Sequence, residues 1–148
     1  MLSFVQENGA DINSVDRVQR TTMHYACQFN NIEAVKWLWA LGVEVDSADQ
    51  IGLTPLMFAC QNGNLEMVNF LIDNGASVES VFQHTRLRRR GIANYSRKMI
   101  HFAAESGNPE VLQLFMNQNI DELSWDGTPL AIAAKKGHND ACQLLLEN

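Results

Sequence analysis

Apolar residues recur along this chain at helical spacing, in short runs broken by polar turns. Leu65, Val68, Leu71 and Ile72 share one face of a helix that ends before Gly75. Ahead of it, Thr54 and Pro55 open another helix: threonine suits the N-cap, and proline's missing N–H would be unpaired in the first turn anyway. That helix runs to Gly63, where glycine can take the left-handed conformation that closes a helix. The pattern predicts a pair of short antiparallel helices. Small residues at one register of the first helices (Ala26, Ala59, Ala103, Ala133) let neighbouring helices approach closely. Asn30 replaces glycine in an earlier unit, and asparagine also visits left-handed geometry. Pro109, after Asn108, starts a second helix of the same kind.

The pair repeats. Thr21-Thr22-Met23-His24-Tyr25-Ala26-Cys27-Gln28 aligns with Thr54-Pro55-Leu56-Met57-Phe58-Ala59-Cys60-Gln61 at an offset of 33, and the same offset pairs Glu33 with Glu66, Val35 with Val68, Leu38 with Leu71 and Gly42 with Gly75. Gly9 lies 33 before Gly42. Met99-Ile100-His101-Phe102-Ala103-Ala104 leads to Gly107, which is 44 after Gly63, so this unit carries an insertion of 11; Gly137 follows after only 30. The units run 16–48, 49–79, 80–121 with a basic insertion at about 83–97, then an incomplete unit 122–148, after a partial unit 1–15. Both ends read as cut, because repeat stacks normally carry polar capping units. The expectation is a fragment, a capless chain, or ends covered by a partner.

The T-P-L-H-x-A motif, carried best by Thr54-Pro55-Leu56 and Thr128-Pro129-Leu130, the 33-residue period, and Gly9-Ala10 and Gly75-Ala76 after the second helices resemble the ankyrin repeat. The resemblance spans nearly the whole chain. It implies an all-α solenoid of stacked helix pairs with projecting β-turn fingers, and a concave surface made of those tips and the first helices. It also implies that His24 and His101, at the histidine position of the motif, brace neighbouring turns through hydrogen bonds. The function implied is a protein–protein interaction module, either a scaffold or adaptor or a regulatory segment.

Composition narrows the alternatives. With 148 residues, 46% of them hydrophobic and 19% charged, the chain can bury one core. No run of about 18 apolar residues occurs, and Met1-Leu2-Ser3-Phe4-Val5 is too short and too quickly polar for a signal peptide. The expectation is a soluble intracellular protein, cytoplasmic in the first instance, with the nucleus as the alternative. Cys27, Cys60 and Cys142 form neither a C-x-x-C pair nor a zinc spacing with the four histidines, so reduced, packed thiols are expected and no metal or cofactor. Phosphate loops, G-x-S-x-G elbows and H-E-x-x-H motifs are lacking, and no residue offers itself as nucleophile or base. The chain therefore reads as a non-enzyme. His84 alone among the histidines lacks a repeat-based explanation.

A partner has two candidate surfaces. The residues just before the repeated alanines are Tyr25, Phe58, Phe102 and Ile132, with Phe29 one turn beyond Tyr25. By the resemblance this face borders the groove, and Ile51, Leu53 and Trp125 on the turn tips extend it. The competing reading packs these hydrophobes between units. Trp37 and Trp39 stand where Phe70 and Ile72 stand in the next unit, which favours packing on the second helices.

The second surface is the insertion. Between Ser80 and Ala104 lie six cations (Arg86, Arg88, Arg89, Arg90, Arg97, Lys98) and no acid; the rest of the chain carries five basic and 17 acidic residues, a net of −12. Such a finger suits an acidic or phosphorylated protein, since arginine forks match carboxylate and phosphate. Nucleic acid, anionic lipid or nuclear import ranks behind that as an alternative, or the segment is an exposed loop neutralised by acidic surface. Ser96 and Tyr95 are candidate phosphorylation sites that would weaken an acidic partner's hold. The sequence favours a protein partner in the groove with the finger adding selectivity. The alternatives are a finger contact with nucleic acid or anionic membrane, or a targeting or regulatory part of a larger enzyme or channel.

Overall fold

The computed structural model describes residues 11–88, 91–124 and 126–148, and of residues 83–88 and 91–95 it describes the backbone alone. Among the described residues eight helices follow one another: α1 (Thr22–Gln28), α2 (Ile32–Ala40), α3 (Pro55–Asn62), α4 (Leu65–Asp73), α5 (Met99–Ser106), α6 (Pro109–Gln113), α7 (Pro129–Lys136) and α8 (Asn139–Leu146). They pair as α1–α2, α3–α4, α5–α6 and α7–α8. First helices stack in the order α1, α3, α5, α7, and second helices in the order α2, α4, α6, α8. The fold is an all-α solenoid.

Local chemistry sets each boundary. Pro55, Pro109 and Pro129 occupy first turns, and the side chains of Asn31, Asn64, Asn108 and Thr128 accept backbone N–H groups at the starts of α2, α4, α6 and α7. Gly63, Gly107 and Gly137 close α3, α5 and α7 with φ of 68°, 75° and 80°. Asn30 takes the same turn at φ 56°, as its residue type predicts. The core is continuous from unit to unit, with Met23, Leu56, Met57, Met67, Leu71, Ile100 and Leu112 fully buried.

The insertion is not an irregular finger. It forms a two-stranded antiparallel hairpin, β1 (Phe82–Arg88) and β2 (Gly91–Arg97), paired from Phe82↔Arg97 at the base to Arg88↔Gly91. The hairpin enters the stack through Phe82, which is buried and packs edge-on to Phe102 at 6.4 Å.

Candidate protein-binding surface

The first two fingers are each built around an aspartate. In the first, Asp16 Oδ1 accepts the backbone N–H groups of Val18 and Arg20, and its Oδ2 accepts the Tyr25 hydroxyl at 2.6 Å. In the second, Asp49 Oδ1 accepts from Ile51 and Leu53, and Oδ2 accepts from Arg20 Nε at 3.0 Å. The Gln50 N–H donates to the Val18 carbonyl, which seats the two fingers side by side. The hydrogen bond from Tyr25, with those from the Arg20 and Val18 backbone, holds the Asp16 carboxyl below its ordinary range. Asp16 and Asp49 lie 33 apart, so the repeat offset carried the signal that identifies them.

Histidines tie one unit to the next. His24 Nδ1 accepts from the Thr21 N–H, which leaves the proton on Nε2 to donate to the Leu53 carbonyl at 3.1 Å. His101 repeats the arrangement with the Lys98 N–H and the Glu122 carbonyl at 2.9 Å. Burial pushes both imidazoles below their ordinary value of 6.5, against the pull of those carbonyls. In the second unit Met57 stands in this place, and the buried Thr54 hydroxyl has no hydrogen-bond partner among the described residues. His138 is a brace of another kind, donating from Nε2 to the Glu105 carbonyl at 3.0 Å.

The structure separates residues that share a register. Tyr25 is 39% exposed and Phe29 is 73% exposed, and their rings stack at 6.5 Å. Phe58 and Phe102, expected on the same surface, are 8% and 3% exposed, which removes both as contact residues. Arginines account for much of this: the Arg20 guanidinium lies over the Phe58 ring at 5.2 Å and that of Arg97 over Phe102 at 4.3 Å. Ile132 is buried as well. On the fingers Ile51 is exposed at 53% and Val18 joins it, whereas Leu53 is only partly exposed and packs against the core. Trp37 and Trp39 are half exposed on α2, with Trp39 edge-on to Phe70 at 5.7 Å. Trp125, Arg89 and Arg90 lie outside the described residues, as does most of the partial unit at 1–10; of Arg86 and Arg88 only the backbone is described.

Among the described side chains of the insertion, Arg97 and Lys98 are spent within the protein. Arg97 is buried, donates from Nη2 to Glu105 Oε2 at 2.8 Å and to the His101 carbonyl at 3.3 Å, and lies 3.8 Å from Asp126 Oδ2. Lys98 pairs with Glu122, which also accepts from the Ser96 hydroxyl at 3.2 Å. Burial alone would raise the Glu105 carboxyl, but hydrogen bonds from Arg97 and Lys136 outweigh it and leave it low. The Ser96 hydroxyl is thus already engaged, and no sequence signal foretold that engagement.

Cys27 and Cys60 are free and buried, and burial pushes the Cys27 thiol up to about 12 and Cys60 higher still. Among the described residues no group of three His, Cys, Asp or Glu side chains converges as a metal would require. None of the described helices is long and apolar enough to cross a membrane.

Stacked helix pairs, paired fingers and histidine braces between successive units define a repeat solenoid. The family model for ankyrin repeats matches three copies over residues 1–81 and 85–148, and the chain belongs to the ankyrin repeat family. Domains of this family are typically non-catalytic and generally serve as protein–protein interaction modules. Comparison with curated proteins gives no match.

Proposed function

We infer that this protein is an adaptor or scaffold module that holds a protein partner on the first two units, through Phe29, Tyr25, Val18 and Ile51. The exposed Tyr25–Phe29 stack carries the reading. Stacked aromatic rings, with Tyr25 fixed by its bond to Asp16, have little side-chain freedom left to lose on binding. Aromatic anchors also dominate interface energetics. The positions corresponding to Phe29 in later units are polar or charged (Asn62, Ser106, Lys136), so an aromatic pair of this kind belongs to the first unit.

The test is affinity capture with the wild type, a Phe29→Ala/Ile51→Ala variant and an Arg86→Glu/Arg88→Glu variant, followed by titration of the captured protein in purified form. Both residues of the first variant are exposed, so its melting curve should match the wild type. Its affinity should fall about tenfold or more. Unchanged binding by that variant, with loss in the arginine variant, would reject the groove reading and favour an electrostatic contact made by the hairpin.

A further inference from the structure

Register decides which residues of the hairpin share a face. Successive strand residues alternate between faces, so Phe82, His84, Arg86 and Arg88 fall on one face with their partners Arg97, Tyr95, Ala93 and Gly91. At the base that face meets the stack, where Phe82 and Arg97 are buried against Phe102. A rise of about 3.3 Å per residue puts the backbones of Arg86 and Arg88 about 13 and about 20 Å beyond Phe82. At the base Glu105 and Asp126 answer Arg97, and Glu122 answers Lys98; Arg86 and Arg88 lie further along β1.

The two strands are not tied alike. Ser96, Arg97 and Lys98 at the end of β2 bond to Glu122, Glu105 and Asp126, and α5 packs on β2. The sheet has two strands only, so among the described residues no third strand pairs with β1. The outward N–H and C=O groups of an edge strand are a template for another extended chain. We propose that β1 accepts an extended acidic segment of a partner protein as a third strand, with carboxylates at alternate positions beside Arg86 and Arg88.

Cross-strand neighbours on one face interact, and opposite charges there are favourable. An arginine fork also matches a carboxylate in two-point contact. A nucleic acid fits less well, because its regular charge would run past the arm onto a body holding 17 acidic and five basic residues. Six or seven extended residues span the same length as β1 and need reach no further. This contact is independent of the Tyr25–Phe29 surface.

The experiment is fluorescence anisotropy on the whole chain, using a labelled nine-residue peptide with glutamate at every second position. Comparison probes are the same composition with its acids contiguous, the alternating peptide N-methylated at alternate amides, and a mixed-sequence RNA. The alternating peptide should bind about tenfold tighter than the contiguous one, given two favourable cross-strand pairs. N-methylation should remove that advantage on the wild-type chain, independently of any variant's folding. Arg86→Glu/Arg88→Glu should lose the peptide and gain its lysine-for-glutamate counterpart, while Phe29→Ala should leave binding unchanged. Equal binding of all three acidic peptides, displacement by RNA at lower concentration than peptide, or no peptide binding would each overturn the proposal.

Discussion

Substituting Gly107 by alanine tests how the last two units are joined. Gly107 closes α5 at φ 75°, and a Cβ built there falls within 3.0 Å of Cγ, Nδ1 and Cδ2 of His138. Two costs follow. Left-handed backbone costs an L-residue about 1–2 kcal/mol. The imidazole must also move, which forfeits its bond to the Glu105 carbonyl, about 0.5–1.5 kcal/mol, and repacks a tight contact at about 1–3 kcal/mol. Part of this is offset by the stiffer unfolded chain, about 0.4–1 kcal/mol, so we expect Gly107→Ala to cost about 2–6 kcal/mol. Gly137 is the control: it has nearly the same φ, 80°, and a Cβ there meets nothing within 4 Å. Gly137→Ala should cost about 1 kcal/mol, the conformational part alone. Urea unfolding followed by circular dichroism measures both, and Gly107→Ala in a His138→Ala background closes the cycle. In that background its cost should fall to the Gly137 level. Equal costs for the two single variants, or no coupling to His138, would refute the steric argument.

Other outcomes follow from the braces and ion pairs. His24 and His101 have folded values depressed below 6.5, so the unfolded chain binds more protons as pH falls beneath that value. Their contribution is present above pH 6.5 and lost on acidification through the folded values; urea midpoints at pH 7.5 and 5.5 should differ less in His24→Met/His101→Met than in the wild type. Glu105 and Glu122 also have depressed folded values, with an ordinary value of 4.5, so their contribution is present above pH 4.5 and lost below it; wild-type stability should show a second acid-side fall. Arg97→Ala leaves two acids facing a buried gap and should destabilise by about 3 kcal/mol in thermal or urea unfolding. A maleimide reagent should modify Cys142 first, because Cys27 and Cys60 are buried thiols with raised pKa; labelling of all three at one rate in the native protein would contradict the packing.

What could be read from the sequence was local. Thr54-Pro55, Asn30 and the glycines at 63, 107 and 137 set helix ends within a few residues of themselves, so spacing along the chain suffices to find them. The repeat then dictated the stack, because one helix pair cannot bury its own apolar face and a neighbour of the same kind can. Tertiary structure alone decided which repeats of one position face solvent. Tyr25, Phe58 and Phe102 are equivalent in sequence, yet only Tyr25 stays open, because the guanidinium over Phe58 comes from the preceding finger and that over Phe102 from the inserted hairpin. The six cations of the insertion likewise form one cluster in sequence. Among the described side chains, Arg97 and Lys98 meet carboxylates that the chain delivers 8 to 29 residues later, at Glu105, Glu122 and Asp126. Burial and charge pairing depend on neighbours brought together by the stack, and those neighbours leave no periodic trace in the order of residues.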